Sequence, residues 1–121
     1  MLTITNEDNM ELMARYPDNY FDLAIVDPPY GNIDAIGLID NKKGKQATTR
    51  TKYKLFDNIA PNNEYYLELS RVSKNQIVWG GQYFTDKLPL SRCWICWDKV
   101  QFMPTYSKIE LAWTSFKLQT E

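Results

Sequence analysis

The fold of this chain is decided by one stretch, Asp22-Leu23-Ala24-Ile25-Val26-Asp27-Pro28-Pro29-Tyr30. Its apolar run, bounded by two aspartates, is the pattern of a strand that is covered on both faces in a parallel sheet. The two prolines end this strand, because proline fixes its own φ and holds the preceding residue in an extended conformation. Ligands of open α/β sheets bind beyond the carboxyl ends of the strands. A binding site is therefore expected at Asp27.

Helical and strand patterns alternate on both sides of this stretch. In chain order we predict a strand at 2–5, a helix capped by Asn6 or Asp8 that ends near Arg15, the strand at 22–27, a helix from Pro61 to about Ser73, and strands at 76–79, 93–97 and 109–114. In the second helix Tyr65, Leu69 and Val72 are spaced along one face, the pattern of an amphipathic helix. The last two strands have no helix between them, which predicts an antiparallel pair at the edge of the sheet. The predicted fold class is α/β, with a mostly parallel sheet and this antiparallel edge pair.

Length and composition place the chain among ordinary globular domains. It has 121 residues, of which 44% are hydrophobic and 24% charged, which predicts a single domain with a real core. No apolar run approaches the roughly 20 residues that cross a bilayer. The amino terminus lacks the pattern of a secretory signal, so we expect a cytoplasmic protein that does not bind a membrane.

The two cysteines and four tryptophans are expected to serve packing. Cys93 and Cys96 have the spacing of a metal or redox pair, but they lie in a predicted buried strand and the chain has no histidine. We therefore predict no metal site. Placement in strands makes the tryptophans core residues. Tyr83 and Phe84, which follow Gly80-Gly81, fit either a base pocket or helix packing.

A long loop from about residue 31 to residue 59 carries most of the unbalanced charge. Residues 41–56 hold six cations and no acid, a local charge of +6 that leaves −7 on the rest of the chain. The cations are Lys42, Lys43, Lys45, Arg50, Lys52 and Lys54. A basic loop on an otherwise acidic chain suits contact with a polyanion at one place. We assign these residues to contacts with DNA phosphates. A solvated linker would have the same composition.

Asp27-Pro28-Pro29-Tyr30 after an apolar strand resembles the catalytic motif of the DNA amino-methyltransferases that use S-adenosylmethionine. The resemblance continues through residues 4–11, 20–26, 77–84, 91–99 and 110–116, which are similar to segments of phage- and restriction-type members. It implies a partial Rossmann-like methyltransferase fold. In this family the Asp-Pro-Pro-Tyr form goes more often with adenine and a Ser-Pro-Pro-Tyr form with cytosine, so the resemblance implies transfer to N6 of adenine.

The resemblance also implies roles for individual residues. Asp27, Pro28, Pro29 and Tyr30 would be catalytic, and Asp8 and Asp27 would bind the cofactor. The amino group of adenine is a weak nucleophile, because its lone pair is delocalised into the ring. We expect the Asp27 carboxylate and the Pro28 carbonyl to accept its two hydrogens, and Tyr30 to stack on a base that has been flipped out of the duplex.

One departure from the family limits what this chain is expected to do. The donor site of the family depends on a glycine-rich turn, commonly Phe-x-Gly-x-Gly, and the five glycines of this chain form no such turn. In the circularly ordered subtype the catalytic motif comes first, so the chain resembles an amino-terminal fragment without the target-recognition region and the donor-binding half. We expect an uncovered strand beside Asp27, marginal stability, and a second chain or further segment that completes the sheet.

Three alternatives stay open at this point. The chain could be a DNA-binding remnant that has lost catalysis, a methyltransferase for N4 of cytosine, or one that acts on RNA or a small molecule.

Overall fold

The computed structural model describes residues 1–31, 59–104 and 107–117. The chain divides into two compact units, Met1–Pro28 with Pro61–Glu121, and Pro29–Ala60. Most of the second unit lies outside the described residues, and so do all six cations of the basic loop.

The first unit is built from short helices and strands. In chain order they are helix α1 (Asn9–Ala14), strand β1 (Phe21–Val26), helix α2 (Asn63–Val72), strand β2 (Ser73–Trp79), a 3₁₀ helix (Gly81–Tyr83), and strands β3 (Trp94–Asp98) and β4 (Ile109–Thr114). Among the described residues, no helix is long and apolar enough to cross a membrane.

The four strands form one mixed sheet in the order β1-β2-β4-β3. β1 pairs with β2 in parallel, whereas β4 is antiparallel to both β2 and β3. The α/β class and the antiparallel edge pair are thus confirmed. The expectation of a mostly parallel sheet is wrong for the described strands, because β4 returns from the β3–β4 loop and inserts beside β2, which makes two of the three pairings antiparallel.

Side-chain caps fix where both helices begin. Asp8 is the cap of α1, and its Oδ1 accepts the backbone N–H groups of Met10 at 2.9 Å and Glu11 at 3.1 Å. Asn62 caps α2 by accepting the N–H of Tyr65 at 3.1 Å. Each cap satisfies N–H groups that have no partner within the helix. The sequence is compatible with either Asn6 or Asp8 as the cap of the first helix, and the structure shows that the cap is Asp8.

The predicted strand at residues 2–5 does not form. Residues 1–8 contain no strand, and the side chains of Leu2 and Ile4 are exposed. An alternating pattern makes a strand only when a neighbouring strand accepts its backbone hydrogen bonds. None of the described strands pairs with this segment.

The core lies between α2 and one face of the sheet. α2 contributes Tyr65, Tyr66, Leu69 and Val72, which include the three residues that the helical spacing predicted. The other buried apolar residues are Met13, Val78, Phe84, Ala112 and Trp113. β2 and β4, which each lie between two other strands, have three buried residues apiece.

The two edge strands of the sheet are exposed, and here two predictions about burial are wrong. On β1, Leu23 is 42% and Ile25 is 61% exposed, so this strand is not covered on both faces. On β3 all five residues are exposed. Both strands lie at the edges of the described sheet. The expectation that a missing segment leaves the strand beside Asp27 uncovered stays a prediction.

Candidate functional site

Three strands of the sheet end on the same side. In the parallel pair, Val26 of β1 lies opposite Val78 of β2, so Asp27 and Trp79 follow at the same level. β3 runs in the same direction as β2, because both are antiparallel to β4. We call this side, where β1, β2 and β3 end, the Asp27 end of the sheet. It is where ligands of open α/β sheets bind.

The first two residues of the motif have different surroundings. The side chain of Asp27 is exposed, whereas Pro28 is buried. Burial of Pro28 and the fixed φ of both prolines anchor the backbone directly after β1. Asp27 therefore occupies an exposed and conformationally restrained position at the end of β1. Pro29 and Tyr30, exposed and half-buried respectively, belong to the second unit.

Two adjacent glycines end β2, and each position requires glycine for a different reason. Gly80 has a φ of 69°, which favours glycine, and its N–H donates to the carbonyl of Leu111 at 2.8 Å. A Cβ atom at Gly81 would overlap the Cβ of Trp113. The pair lets β2 stop abruptly, so that the 3₁₀ helix can begin at the Asp27 end.

The 3₁₀ helix separates the roles of Tyr83 and Phe84, which the sequence could not distinguish. Phe84 is fully buried and packs against Tyr66 with ring centroids 5.6 Å apart. It is a core residue. Tyr83 is 45% exposed and follows the end of β2, so it lies at the Asp27 end of the sheet.

The other residues that the resemblance brings to the site are placed only in part. Asp8 is exposed at the start of α1, with its Oδ1 engaged in the helix cap. Lys42, Lys43, Lys45, Arg50, Lys52 and Lys54 lie outside the described residues. Of the assigned residues, the structure thus places Asp27 and Pro28 at the end of β1 and Asp8 at the cap.

The tryptophans and cysteines differ from expectation in their burial. Trp113 is in the core and Trp79 is half-buried, but Trp94 and Trp97 are exposed on the edge strand β3. Cys93 is half-buried and Cys96 exposed, both as free thiols. In the described part of the chain, no group of three or more histidine, cysteine or acidic residues could hold a metal ion.

A separate cavity of about 510 Å³ lies at the opposite end of the sheet. Its walls include Gln76, Arg92, Trp113, Ser115 and Lys117, and neither Asp27 nor Pro28 lines it. It is formed where β4 ends and β3 begins, which is the far side from the Asp27 end. No sequence pattern predicts this cavity, because its walls come from segments that are distant along the chain.

Sequence reasoning missed the β3–β4 loop as part of the Asp27 end. The loop has apolar residues at Val100, Phe102 and Met103, all of them exposed. The sequence does show apolar residues directly after a predicted strand, in a segment expected to be a loop. That this loop lies at the Asp27 end depends on the direction of β3, which only the sheet topology shows.

Comparison with protein-family models, with curated proteins and with solved structures finds no match for this chain.

Proposed function

We propose that this chain forms the amine-binding part of a DNA methyltransferase that acts on N6 of a flipped adenine, with S-adenosylmethionine as the methyl donor. The observation that carries the proposal is the position of Asp27-Pro28 directly after β1, at the end of the sheet where β2 also stops. The motif that resembles the family's catalytic sequence thus lies where an α/β sheet binds ligands. Such a role accords with the expected cytoplasmic location.

The chemistry assigned to this site is the activation of an aromatic amine. The Asp27 carboxylate and the Pro28 carbonyl accept the two amine hydrogens, which draws the nitrogen toward tetrahedral geometry and frees its lone pair. The carboxylate also stabilises the positive charge that develops on nitrogen as it forms a new bond. The resemblance assigns Tyr30 to stacking on the base, which offsets part of the roughly few kcal/mol needed to extrude it.

The chain lacks the glycine-rich turn that the resemblance assigns to the donor site. The sequence contains no Phe-x-Gly-x-Gly turn, and the space beside Gly81 in its single Gly-Gly pair is filled by Trp113. Asp8 and Asp27 are the residues that the resemblance assigns to the donor. We therefore derive only the amine-binding step from this chain.

The sheet offers a place where a further segment or a second chain could complete the site. Among the described strands β1 lies at an edge of the sheet, and its Leu23 and Ile25 are exposed close to the Asp27 position. The backbone groups of an edge strand are a template to which another strand can add. This supports the view that the donor-binding half joins the sheet at β1.

The amine-binding role can be tested without knowing a recognition sequence. The probes are two labelled oligothymidylates, one with a single central adenine and one with N6,N6-dimethyladenine, which has no amine hydrogens. Loss of two hydrogen bonds, one of them to a carboxylate, should weaken binding about tenfold or more. Fluorescence anisotropy measures both affinities. Because the strand is single, no base has to be extruded.

Two variants separate hydrogen bonding from steric exclusion of the methyl groups. Asp27→Asn should discriminate clearly less between the two probes, because the hydrogen bond to a charged carboxylate is lost while the Pro28 carbonyl still accepts. The control Asp86→Asn, which neutralises another exposed aspartate, should discriminate as the wild type does. Undiminished discrimination in Asp27→Asn would refute the proposal. Preference for cytosine over N4,N4-dimethylcytosine, with none for adenine, would identify the cytosine alternative.

The missing glycine turn favours one competing function, a DNA-binding remnant without catalysis. Transfer of a labelled methyl group from S-adenosylmethionine to DNA, followed by nucleoside analysis, distinguishes it from an enzyme. N6-methyladenine that disappears in Asp27→Asn supports catalysis by this chain. Amine discrimination without any transfer shows that the chain binds the amine but needs a further segment for the donor.

A further inference from the structure

The cavity at the end of the sheet opposite Asp27 has the size of a small-molecule site. Its volume of about 510 Å³ lies within the roughly 300 to 1,000 Å³ of ligand pockets. Gln76, Trp113 and Thr114 form buried parts of its wall, whereas Arg92 and Lys117, which also line it, are exposed. The charged side chains therefore stand at its mouth. We call this space the Trp113 cavity.

Hydrogen bonds between distant segments hold the walls of the Trp113 cavity together. The hydroxyl of Ser91 donates to the carbonyl of Thr114 at 2.6 Å, which fixes the segment before β3 to the end of β4. The N–H of Gln76 donates to Oγ of Ser115 at 2.8 Å, and the N–H of Ser115 donates back to the carbonyl of Gln76 at 3.0 Å. The cavity is thus formed before a ligand arrives, which reduces the entropy cost of binding.

The polar groups of the inner wall are largely used by the protein itself. The indole N–H of Trp113 donates to the carbonyl of Pro89 at 2.8 Å. The hydroxyl groups of Ser91 and Ser115 are engaged with backbone groups in the same way. The ring of Phe116 adds apolar surface at the rim. A ligand inside the cavity therefore meets mainly apolar surface, which favours an apolar body.

The charges at the mouth, in contrast, are not matched by the protein. The lining contains the cations Arg92 and Lys117 and no aspartate or glutamate, a charge of +2. In the part of the chain that the structure describes, neither cation forms an ion pair. Arg71 and Lys74, near the same end of the sheet, are each paired with an acid. The Trp113 cavity thus combines an apolar interior with an uncompensated positive mouth.

We propose that the Trp113 cavity binds a small organic anion, a compound with a flat apolar body and one carboxylate or phosphate group. The body lies against Trp113, and the oxyanion pairs with Arg92 and Lys117, since a guanidinium matches the geometry of either anionic group. Two cations at one mouth suit a single anionic group, whereas a polyanion is held by many cations along its length. The inference is independent of the proposed function, because neither Asp27 nor Pro28 lines the cavity.

The anion preference can be tested with probes that share one ring system and differ in charge. Naphthoate carries a carboxylate, and naphthamide is its uncharged counterpart. The isotope-labelled full chain is titrated with each and followed by nuclear magnetic resonance. The wild type should bind naphthoate about fivefold more tightly or better, because each exposed ion pair is worth a few-fold in affinity. Naphthyl phosphate is the third probe, and the tighter of the two anions identifies the preferred head group.

The tryptophan indole signals locate the bound probe. Trp113 lines the cavity, so its N–H signal should shift during the titration with naphthoate. Trp97 lies near the carboxyl end of β3, on the opposite side of the sheet, and its signal should remain in place. A probe that shifts Trp97 and leaves Trp113 unchanged would bind elsewhere and would refute the site.

Substitutions at the mouth separate recognition of the anion from burial of the ring. Arg92→Gln and Lys117→Gln should each reduce the preference for naphthoate over naphthamide about twofold, while the affinity for naphthamide stays the same. The double variant should bind both probes equally. Arg92→Lys keeps the charge and should keep most of the preference. The control Lys108→Gln removes one charge from an exposed residue before β4, at the Asp27 end, and should behave as the wild type.

Three results would overturn the proposal. The first is equal affinity of the wild type for naphthoate and naphthamide, which would make the cavity an apolar space without anion recognition. The second is a preference that is undiminished when both Arg92 and Lys117 are replaced. The third is the absence of saturable binding of all three probes in the millimolar range. Each of these leaves the amine-binding role of Asp27 unaffected, because that role is measured with different probes at the other end of the sheet.

Discussion

Tyr66 carries the one described side-chain atom that is buried without a hydrogen-bond partner, its hydroxyl oxygen. The ring itself is well packed, with Tyr65 at 5.0 Å and Phe84 at 5.6 Å between centroids. Burial raises the pKa of the hydroxyl, with smaller contributions from Tyr65 and Asp86. The ring thus stabilises the core, while the buried hydroxyl opposes folding.

We predict that Tyr66→Phe increases the free energy of unfolding by about 1 kcal/mol, because it removes a polar group whose burial is not compensated. Urea unfolding followed by tryptophan fluorescence measures the change. The matched control is Tyr65→Phe, the neighbouring buried tyrosine whose hydroxyl is not an unpartnered buried atom. It should give a smaller gain or a loss. Destabilisation by Tyr66→Phe alone would show that the hydroxyl has a partner in solution.

At the scale of elements, Arg71 joins the two helices. From the last turn of α2 it donates to both carboxylate oxygens of Glu68, at 2.8 and 2.9 Å. The same guanidinium donates to the carbonyls of Met13 at 3.0 Å and Tyr16 at 2.9 Å, near the carboxyl end of α1, and to Asp18 at 3.0 Å. The planar fork of arginine satisfies these acceptors together, which a lysine could not do.

This contact predicts a dependence of stability on pH. The hydrogen bond from Arg71, and secondarily its charge, holds the pKa of Glu68 below its usual value of 4.5. A lowered carboxyl pKa stabilises the fold above the unfolded value, and this contribution is lost as the pH falls through the folded pKa. Glu68→Gln should therefore flatten the fall in melting temperature between about pH 5 and pH 3.

Glu64→Gln is the control for this prediction, because it removes a carboxylate from the same helix and Glu64 has no contact with Arg71 among the described interactions. The melting temperature of Glu64→Gln should fall between about pH 5 and pH 3 as steeply as that of the wild type. Thermal unfolding by circular dichroism gives all three profiles. A Glu68→Gln profile as steep as the wild type would mean that the pair adds nothing to stability.

The strands at the edges of the sheet show how position overrides composition. β3 has the sequence Trp-Ile-Cys-Trp-Asp and reads as a core strand, yet it is exposed at every position. β4 has a comparable sequence but is buried at its last three positions. The difference is that β4 lies between two strands, whereas β3 has a partner on one side only.

At the scale of the whole molecule, charge is separated along the chain. The net charge is −1, but residues 41–56 carry +6. We predict that replacing Lys42, Lys43 and Lys45 with alanine lowers duplex affinity and reduces the slope of log K against log salt by about 2 to 3, as expected if each lysine neutralises one phosphate. Anisotropy titrations between 50 and 200 mM salt, a range of about fourfold, measure the slope.

A second triple variant controls for net charge in this experiment. Replacement of Lys74, Lys87 and Lys117 with alanine removes the same charge from outside the basic loop and should change the slope by less than about one. Equal slopes for the wild type and the basic-loop variant would show that these lysines do not contact phosphates. Equal losses in both triple variants would indicate a general effect of charge.

Sequence predicted those features whose cause is local. The spacing of Tyr65, Leu69 and Val72 identified the buried face of α2, and the apolar run from Leu23 to Val26 identified β1 as a strand. Both follow from periodicity, which does not depend on what the rest of the chain does. The position of Asp27 at a strand end was predicted in the same way, because the two prolines forbid continuation.

Burial and pairing could not be predicted from the same patterns. The segment at residues 2–5 has a strand pattern, but none of the described strands pairs with it. Trp97 belongs to an apolar strand that lies at an edge of the sheet and is exposed. β4 inserts between β2 and β3. Each outcome depends on which segment occupies the neighbouring position, and that position is filled from far along the chain. Sequence spacing carries no information about it.

The sequence by itself determined the motif at Asp27 and, apart from the strand expected at residues 2–5, the positions and order of the predicted helices and strands, since these depend on backbone restrictions and on periodicity within about ten residues. Only the tertiary structure decided that β1, β2 and β3 end on one side of the sheet, and that β1 and β3 are its opposite edges. Strand direction is a property of the sheet, because it is fixed by backbone hydrogen bonds between segments that are distant in sequence.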